Sequence, residues 1–522
     1  QAHILKRSVL PPRSDTQFLF CDFSVFSMFW RRDDEGCDGK AVEQKRGETS
    51  NKYIRFEVID LNGRSVSKLV PERHRHRAVF APEIILSFTA NGQVFGTVPE
   101  DAERGFPNGR LVPRWDTWLE LPWASDSSQK VISRVYCEFE RVSPRSLSPV
   151  TPRTICARLL QELKEKHGYE LLVGGELEFS IAKPTNQSGK TDWEPSFDWG
   201  QIFSTLGAAN HEDFFCELES SLHKVGIDIL TMNQEYGAGQ LEISFVPRFG
   251  LEALDNTMTF RMATKEIAKK RGQMASFMSF PFPGSCGNGA HFNFSLWAEG
   301  EEADSTTKEF SKEGEGSDVV EEQTRGKCNV LKDASQTAGM SSVAQHFLAG
   351  ILAHAPALEA ICSPTSSCYL RHGRFAPAVA NWGLEDRLAA IRVKSSPSQP
   401  ASNCYIEFRL PSAAANPYLV AAALVAAGLD GLEKKLVLPP PQQTKDTGAK
   451  ALPGSLKESL AALAADEVLS EKLGQEFLRW FSSLKQKEEE MIEGFLSKSV
   501  SGRDRTEADY CAAWRSSFME EL

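Results

Sequence analysis

GGELEFSI, residues 174–181, places two glutamates in what is otherwise the pattern of a buried β-strand. Because residues two apart in a strand share a face, Glu176 and Glu178 lie on one face, and Leu177 and Phe179 lie on the other. Two like charges on one face repel each other, so the pattern predicts an acidic face that is hydrated, paired with cations or bound to a metal. An isolated Glu-x-Glu usually lies on a hydrated face, so the choice among hydration, pairing with cations and metal binding depends on the rest of the chain.

The composition is that of an ordinary soluble protein with an acidic balance. The chain has 522 residues, of which 41% are hydrophobic and 25% charged, and its net charge is -11. This length suffices for two or three domains with cores of their own. The negative charge argues against nucleic acid as the main partner, since phosphate binding depends on Lys and Arg. The basic run ERHRHR, residues 72–77, is local and is interpreted as a solvated or interface patch.

Cysteine usage and the N-terminal segment indicate a cytoplasmic protein. The eleven cysteines contain no C-x-x-C pair, which favours reduced thiols over a disulfide framework. The aromatic segment 18–30 is interrupted by Asp22 and lacks a small-residue cleavage site, so it predicts a packed helix within an N-terminal extension, residues 1–48, rather than a signal peptide. No stretch is long and apolar enough to predict a membrane span.

The first ordered part of the chain is predicted to be a small, mostly β domain. Residues 53–71 predict two strands around an Asn-Gly turn, and residues 93–98 and 130–141 predict further strands. A Ser- and Pro-rich linker follows from about residue 141 to 152.

Helices and strands alternate in the second part, which predicts a layered or barrel fold with its site at strand ends. The predicted elements are a helix from Thr151 to Gly168, helices near 210–225 and 250–272, strands near 227–233 and 240–246, and Ala-rich buried helices at 341–361 and 416–435. The charged segment 299–335 is expected to be a flexible surface insertion. A linker at 440–450 leads into a helical C-terminal region.

Further carboxylates and one histidine stand at strand ends or tight turns. Glu235 precedes a Gly-Ala-Gly turn that can fold it towards Glu242, His291 begins the strand HFNFSLW, and Glu407 lies in YIEFRLP with Arg409 on the same face. Each of these alone would usually be structural. Together with the pair at 176 and 178, such a set would be unstable in a core without cations.

Oxygen ligands with a single imidazole suit Mg²⁺ or Mn²⁺ better than Zn²⁺. Six protein ligands are too many for one Mg²⁺, which keeps waters, so two or more ions are implied. The sequence also supplies several arginines for the same region: Arg371, Arg387, Arg392 and Arg409. Arginines facing a divalent cluster are what phosphoryl transfer from a nucleotide requires, because charge develops on the transferred oxygens.

In its ordered motifs the chain resembles glutamine synthetase of the type I class and its glutamine synthetase-like relatives. The resemblance is strong over about residues 151–436 and weaker over 50–145. The matching blocks are GELEF, EYGAGQLE, the G-x-G-x-H segment that ends at His291, RLAAIR, IEFR and PSAAANPYL.

The resemblance implies a role for each site residue. Glu178, Glu235 and Glu242 would hold the metal near the substrate carboxylate, and Glu176, His291 and Glu407 would hold the metal that bridges the ATP phosphates. Arg371 and Arg409 match positions that bind the substrate carboxylate and the phosphoryl group. Arg387 and Arg392 match nucleotide phosphate contacts; Arg387 is also counted with the catalytic arginines, and Asn293 and Ser295 with the nucleotide-binding residues.

The resemblance also implies an α+β fold, with a β-grasp domain over residues 49–146 and an α/β half-barrel catalytic domain over 151–522. Family members form stacked rings with sites between subunits, so a homo-oligomer is expected. The implied chemistry is phosphorylation of the glutamate γ-carboxylate by ATP, followed by attack of ammonia or an amine.

One departure from the family bears on the nitrogen substrate. The family flap carries a glutamate that helps to bind and deprotonate ammonium, whereas here RHGRFAP is two residues shorter and places Phe375 before Ala376 and Pro377. A phenyl ring cannot take a proton, and an aromatic flap could line a pocket for a larger amine. The leading hypothesis is therefore a glutamate–amine ligase that forms glutamine or a γ-glutamylamide. The alternative is a non-catalytic structural or signalling relative, which the intact metal set disfavours and the shortened flap supports.

Overall fold

The computed structural model describes residues 51–89, 92, 103–126, 130–187, 190–198, 200, 202–284, 286–300, 323–374, 376–398, 400–441, 450–500 and 502–519. The expected N-terminal extension, the strand predicted at 93–98 and Phe375 lie outside these residues.

A first sheet is built from the N-terminal part of the chain. Its strands are β1 (Lys52–Ile59), β2 (Ser65–Pro71), β3 (Val79–Pro82), β4 (Asn108–Pro113), β5 (Leu119–Glu120), β6 (Val131–Val142) and β7 (Arg145–Leu147). The order is β2-β1-β6-β4-β3, with β1 and β6 parallel and with β5 and β7 also paired to β6. The predicted Asn-Gly turn joins β1 to β2, and Gly63 adopts a φ of 73° there, close to Asn416. The Asn416 side chain donates to the Asp60 carbonyl oxygen at 2.9 Å, which fixes this turn against the C-terminal half of the fold.

The second sheet is formed around one long strand. Its strands are β8 (Glu170–Gln187), β9 (Lys190–Pro195), β10 (Ile229–Gln234), β11 (Gln240–Phe245), β12 (Arg248–Phe249), β13 (Met274–Ser276), β14 (Ala290–Glu299), β15 (Lys327–Asn329), β17 (Trp382–Leu384), β18 (Ile391–Lys394) and β19 (Tyr405–Phe408), while β16 (Val379–Ala380) and β20 (Lys450–Ala451) pair separately. The main order is β10-β11-β8-β14-β19-β18-β17, and all of its pairs are antiparallel except β17 with β18. This order brings strands that are far apart in the sequence side by side.

Helices cover the sheets and form the C-terminal region. They are α1 (Pro152–His167), α2 (Thr205–Ala208), α3 (Glu212–His223), α4 (Gly250–Lys270), α5 (Ser342–Cys362), α6 (Pro417–Lys434), α7 (Leu456–Ala465), α8 (Glu467–Leu473), α9 (Gln475–Ser499) and α10 (Glu507–Phe518). α1 has proline in its first turn and ends at Gly168 in the left-handed conformation, as the sequence predicts. The Ala-rich helices α5 and α6 approach closely, since a Cβ on Gly350 would lie 2.2 Å from the Ala427 carbonyl oxygen.

The apolar face of β8 packs into a phenylalanine-rich core. Leu177, Phe179 and Ile181 are buried, and the Phe179 ring lies 5.4 Å from the ring of Phe277 and 5.9 Å from that of Phe260. Burying an aromatic side chain is worth on the order of 2 kcal/mol or more. The alternation predicted for residues 174–181 is therefore present, and it turns the two glutamates to the other face.

The α+β class expected from the sequence is confirmed, since one mixed sheet precedes a larger sheet with helices. Of the expected insertion, residues 299–300 and 323–335 are described, and the latter include β15, which pairs with β14; residues 301–322 lie outside the described part. No helix among the described residues combines the length and apolar character needed to cross a membrane.

Candidate active site

A row of charged side chains crosses one face of the second sheet. Directly opposed residues of neighbouring antiparallel strands share a face, with Cβ atoms about 5 Å apart. The opposed pairs, from β11 across to β18, are Glu242 with Glu178, Glu176 with His291, Asn293 with Glu407, and Glu407 with Arg392. The pairing thus brings five of the six predicted metal ligands together on adjacent strands.

The sixth predicted ligand, Glu235, follows β10 in the predicted turn. Its backbone N–H donates to the Gln240 carbonyl oxygen at 3.0 Å, and Asn233 donates to its carboxylate at 3.1 Å. Gly239 closes the turn with a φ of 68°, and a Cβ there would lie 2.5 Å from the Ile181 carbonyl oxygen. Only glycine fits that position. The turn places Glu235 near enough to Glu178 for the two charges to interact.

Burial and neighbouring like charges disfavour ionisation of Glu242 and Glu235. Burial, followed by the charges of Glu178 and Glu176, raises the pKa of Glu242 to about 9. Burial and the charge of Glu178 likewise raise the pKa of Glu235 to about 7. Carboxyls in this state gain free energy from a divalent cation, which removes both the repulsion and the need for a proton.

The other half of the row is already paired. Burial opposes ionisation of Glu176, but hydrogen bonds from His291 at 3.4 Å and Asn293 at 3.0 Å bring its pKa down to about 2. Burial also opposes ionisation of Glu407, and the charges of His291 and Arg409 lower its pKa all the same. His291 Nδ1 lies 3.4 Å from both carboxylates, so the imidazole joins them.

The donor set fits hard divalent cations. Glu176, Glu242 and His291 offer ligand atoms that lie within 4.8 Å of one another. In addition, the buried Oδ1 atom of Asn293 has no hydrogen-bond partner among the described residues, which leaves an amide oxygen free on the same face. Carboxylate and amide oxygens with one imidazole are ligands for Mg²⁺ or Mn²⁺.

Backbone and amide donors hold Glu178 in place. Gln240 Nε2 donates to Glu178 at 2.7 Å and to the Gly287 carbonyl oxygen at 2.9 Å, while the Gly289 N–H donates to Glu178 at 2.7 Å. A Cβ on Gly289 would lie 2.8 Å from Arg371 Nη2, so only glycine allows this arginine to approach. Oriented outer contacts of this kind fix the geometry of metal ligands.

Three of the four predicted arginines reach the row. Arg371 is buried beside Gly289, and burial lowers its pKa. Arg409 forms an ion pair with Glu407, and Arg392 donates to Glu407 at 2.9 Å. The buried Nε atoms of Arg392 and Arg409 have no partner among the described residues, so both guanidinium groups retain a donor.

The remaining predicted residues are placed less directly. Arg387 is exposed. Burial raises the pKa of Glu235, and the positive charge of Arg387 opposes part of that rise. Ser295 shares the face of Asn293 but is buried, and its hydroxyl accepts a hydrogen bond from Trp297 Nε1 at 2.8 Å.

Sequence reasoning missed two residues that orient this site. Gln240 holds Glu178, and its position inside the quoted block EYGAGQLE was the available signal. The Glu385 carboxylate accepts a hydrogen bond from Arg392 at 2.6 Å and so orients this arginine. It lies two residues before the quoted block RLAAIR, where nothing distinguishes it from an ordinary surface charge.

The chain is similar to known proteins over most of its length. The family model described as the glutamine synthetase catalytic domain matches residues 149–326 and 322–499. A glutamine synthetase of Methanocaldococcus jannaschii is 30% identical over 451 residues, which cover 84% of this chain and 91% of the relative.

Solved structures show the same fold. A crystal structure described as a novel glutamine synthase homolog matches with a TM-score of 0.70 at 23% identity, covering 91% of this chain and all of that one. A structure described as a GmaS/ADP complex matches with a TM-score of 0.67 at 23% identity, covering 86% of this chain and 95% of that one. The family match covers most of the chain, and the 30% identity extends over most of this chain and of the relative, so both support membership of the same family. The chain therefore belongs to the glutamine synthetase family of carbon–nitrogen ligases.

Proposed function

We propose that the protein is an ATP-dependent ligase that joins the γ-carboxylate of glutamate to ammonia or an amine, with an amine larger than ammonia preferred. The observation that carries the proposal is the row of four carboxylates and one imidazole, joined by Glu235 from the adjacent turn and flanked by buried arginines. Such a row is costly in a fold unless cations and a phosphate-bearing substrate neutralise it. The required cofactors are ATP and Mg²⁺ or Mn²⁺.

The two halves of the row suit two cation positions. Glu178, Glu235 and Glu242 would hold the cation nearer the glutamate carboxylate; burial and neighbouring charges raise the pKa of Glu235 and of Glu242. Glu176, His291 and Glu407, the paired half, would hold the cation at the ATP phosphates. Bound there, divalent cations supply charge neutralisation and polarise the phosphoryl oxygens.

The reaction proceeds in two balanced transfers. An oxygen of the glutamate γ-carboxylate bonds to the terminal phosphorus of ATP while the bond to ADP breaks, which gives γ-glutamyl phosphate. The amine nitrogen then bonds to the acyl carbon, loses a proton, and phosphate leaves. Arg409 would bind the transferred phosphoryl oxygens and Arg392 the nucleotide phosphates, since each has a buried N–H without a partner among the described residues, and Arg371 would orient the substrate carboxylate.

The flap sequence favours an amine over ammonium. Among the described flap residues 371–374 there is no carboxylate, and the nearby Glu507 is already paired with Arg374 at 2.9 Å. Ammonium needs anionic groups to bind and deprotonate it, whereas an apolar amine gains free energy from burial.

The solved relative described with ADP supports nucleotide binding by this fold. We also expect a cytoplasmic homo-oligomer of stacked rings, as in the family.

Phosphate release from ATP tests the proposal. It is measured with glutamate and Mg²⁺ against ammonia, alkylamines, polyamines and aromatic amines. We expect the highest kcat/KM with an amine larger than ammonia, and Glu178→Ala should abolish turnover while assembly is retained. Silence across the whole panel would contradict the proposal and favour the non-catalytic alternative, and unchanged activity of Glu178→Ala would contradict the metal assignment.

A further inference from the structure

Helix α10 lies beyond the residues matched by the family model, which end at residue 499. It nevertheless contacts the loop that precedes β14. Cys511, Trp514 and Phe518 are buried in a cluster that also contains Phe280 and Phe282, which lead into the glycine-rich loop before β14. The helix is therefore part of the support for that loop.

Two loops meet at the substrate end of the site. The first, here called the glycine loop, consists of residues 281–284 and 286–289; the second, the arginine loop, consists of residues 371–374. They touch where a Cβ on Gly287 would lie 2.5 Å from Arg371 Cγ. Because the glycine loop donates the Gly289 N–H to Glu178 and the arginine loop carries Arg371, a shift of either loop alters the site.

Glu507, the first residue of α10, bridges the far ends of both loops. The Gly284 N–H of the glycine loop donates to its Oε1 atom at 2.6 Å. Arg374 of the arginine loop donates to its Oε2 atom at 2.9 Å. The Arg374 guanidinium also lies 5.5 Å from the centre of the Phe280 ring, which adds a cation–π contact within the same group.

The start of α10 is fixed independently of the loops. Thr506 and Asp509 form a reciprocal capping box, and Arg503 donates to Asp509 at 2.7 Å. One turn before its end, Arg515 donates to the Pro281 carbonyl oxygen at 3.1 Å. The first turn of the helix is thus ordered by its own side chains, and near its end the helix contacts the glycine loop through Arg515.

We propose that Glu507 is a positioning residue that locks the glycine loop to the arginine loop and thereby sets the binding of glutamate and the amine. The proposal rests on the proposed function. It predicts a selective effect, because the two loops supply the Gly289 N–H to Glu178 and carry Arg371 on the substrate side. In the described part of the chain, Glu507 accepts hydrogen bonds from Gly284 and Arg374, and neither is one of the residues that would serve the ATP side: Glu176, His291, Arg392 and Glu407.

A purely local role is the competing explanation. An acidic residue in the first turn of a helix stabilises the helix slightly through its interaction with the helix dipole. In that case the loss of Glu507 would lower thermal stability slightly and leave every KM unchanged.

Three variants separate these explanations. Glu507→Ala removes both contacts. Glu507→Gln keeps an oxygen that can accept from Gly284 but cannot pair with Arg374 as an anion. The matched control is Glu493→Gln, which breaks an exposed 2.6 Å ion pair with Arg505 in the same region and touches neither loop.

Two readouts are measured on the full chain: KM for glutamate, amine and ATP, and hydrogen exchange of the Gly284 amide. We expect Glu507→Ala to raise KM for glutamate and amine by about tenfold, since small misplacements of binding groups have effects of at least this size, with KM for ATP unchanged. Glu507→Gln should fall between Glu507→Ala and the wild type, and Glu493→Gln should match the wild type. Gly284 exchange should accelerate in Glu507→Ala.

Unchanged KM values and unchanged Gly284 exchange in Glu507→Ala would overturn the proposal, as would an equal rise in all three KM values. If the wild type turns over no amine, the proposed function fails. The exchange comparison then decides by itself whether Glu507 holds the loops.

Discussion

Replacing Glu242 by glutamine should stabilise the metal-free protein at neutral pH. Burial and the charges of Glu178 and Glu176 raise the pKa of Glu242 from an ordinary 4.5 to about 9. A carboxyl whose pKa is raised by folding does not lower the free energy of unfolding at a pH below its pKa in the unfolded chain. As the pH rises from there towards its pKa in the folded protein, the carboxyl lowers the free energy of unfolding progressively. Each pH unit in that window is worth about 1.4 kcal/mol. At pH 7 the cost therefore reaches roughly 3 kcal/mol, which the neutral amide of similar shape avoids.

Urea unfolding followed by tryptophan fluorescence in EDTA measures this difference. Glu242→Gln should be more stable than the wild type by about 1 to 3 kcal/mol near neutral pH, and the gain should shrink towards zero near the unfolded pKa. The control Glu490→Gln removes an exposed ion pair with Lys487 and should change stability by less than about 0.5 kcal/mol.

Divalent cations should reverse the order of stability. With Mn²⁺ in excess, the wild type gains free energy according to its affinity for the ion, whereas Glu242→Gln lacks one anionic ligand and gains less. A Glu242→Gln protein that is less stable than the wild type in EDTA at neutral pH would show that the Glu242 carboxyl does not destabilise the metal-free fold. Equal stabilisation of the two proteins by Mn²⁺ would refute the assignment of Glu242 as a ligand.

Two further changes test other parts of the structure. Gly289→Ala should lower kcat/KM in the phosphate-release assay by tenfold or more while the unfolding midpoint changes little, because its Cβ would lie 2.8 Å from Arg371 Nη2; near-normal activity would contradict the close approach. Burial opposes the charged form of His354, but hydrogen bonds to Asp466 and Asp430 raise its pKa. The protonated imidazole therefore stabilises the fold fully below the pKa of histidine in the unfolded chain, and this stabilisation is lost as the pH rises through the pKa of His354 in the folded protein. His354→Gln should therefore cost about 1 to 3 kcal/mol of unfolding free energy on the acidic side of neutrality and less at alkaline pH, and a cost that grows with pH would contradict this origin.

Features that depend on local pattern could be predicted from the sequence. Alternation placed Glu176 and Glu178 opposite the buried Leu177 and Phe179, and both faces occur as expected. The Gly-Ala-Gly turn between Glu235 and Glu242 folds as its residues indicate, since glycine alone tolerates the contact at position 239.

Features that depend on strand order could not be derived from periodicity. Glu407 lies beside His291 only because β19 pairs with β14, and the two residues are more than a hundred positions apart in the chain. Nothing in the spacing of YIEFRLP encodes that neighbour; only the resemblance grouped the two residues. The contact of Glu507 with Gly284 was not anticipated at all, because it joins segments 223 positions apart.

Mn²⁺ binding by the glutamates and His291 of the site can be measured directly. The signal of free Mn²⁺ in electron paramagnetic resonance is recorded as the ion is titrated into the full chain, first alone and then with ATP. We expect saturable binding of about two ions per chain, with loss of affinity in Glu176→Gln and Glu242→Gln and none in Glu490→Gln. A wild-type chain that binds no Mn²⁺ under either condition, or variants that bind it as well as the wild type does, would show that these residues are not metal ligands.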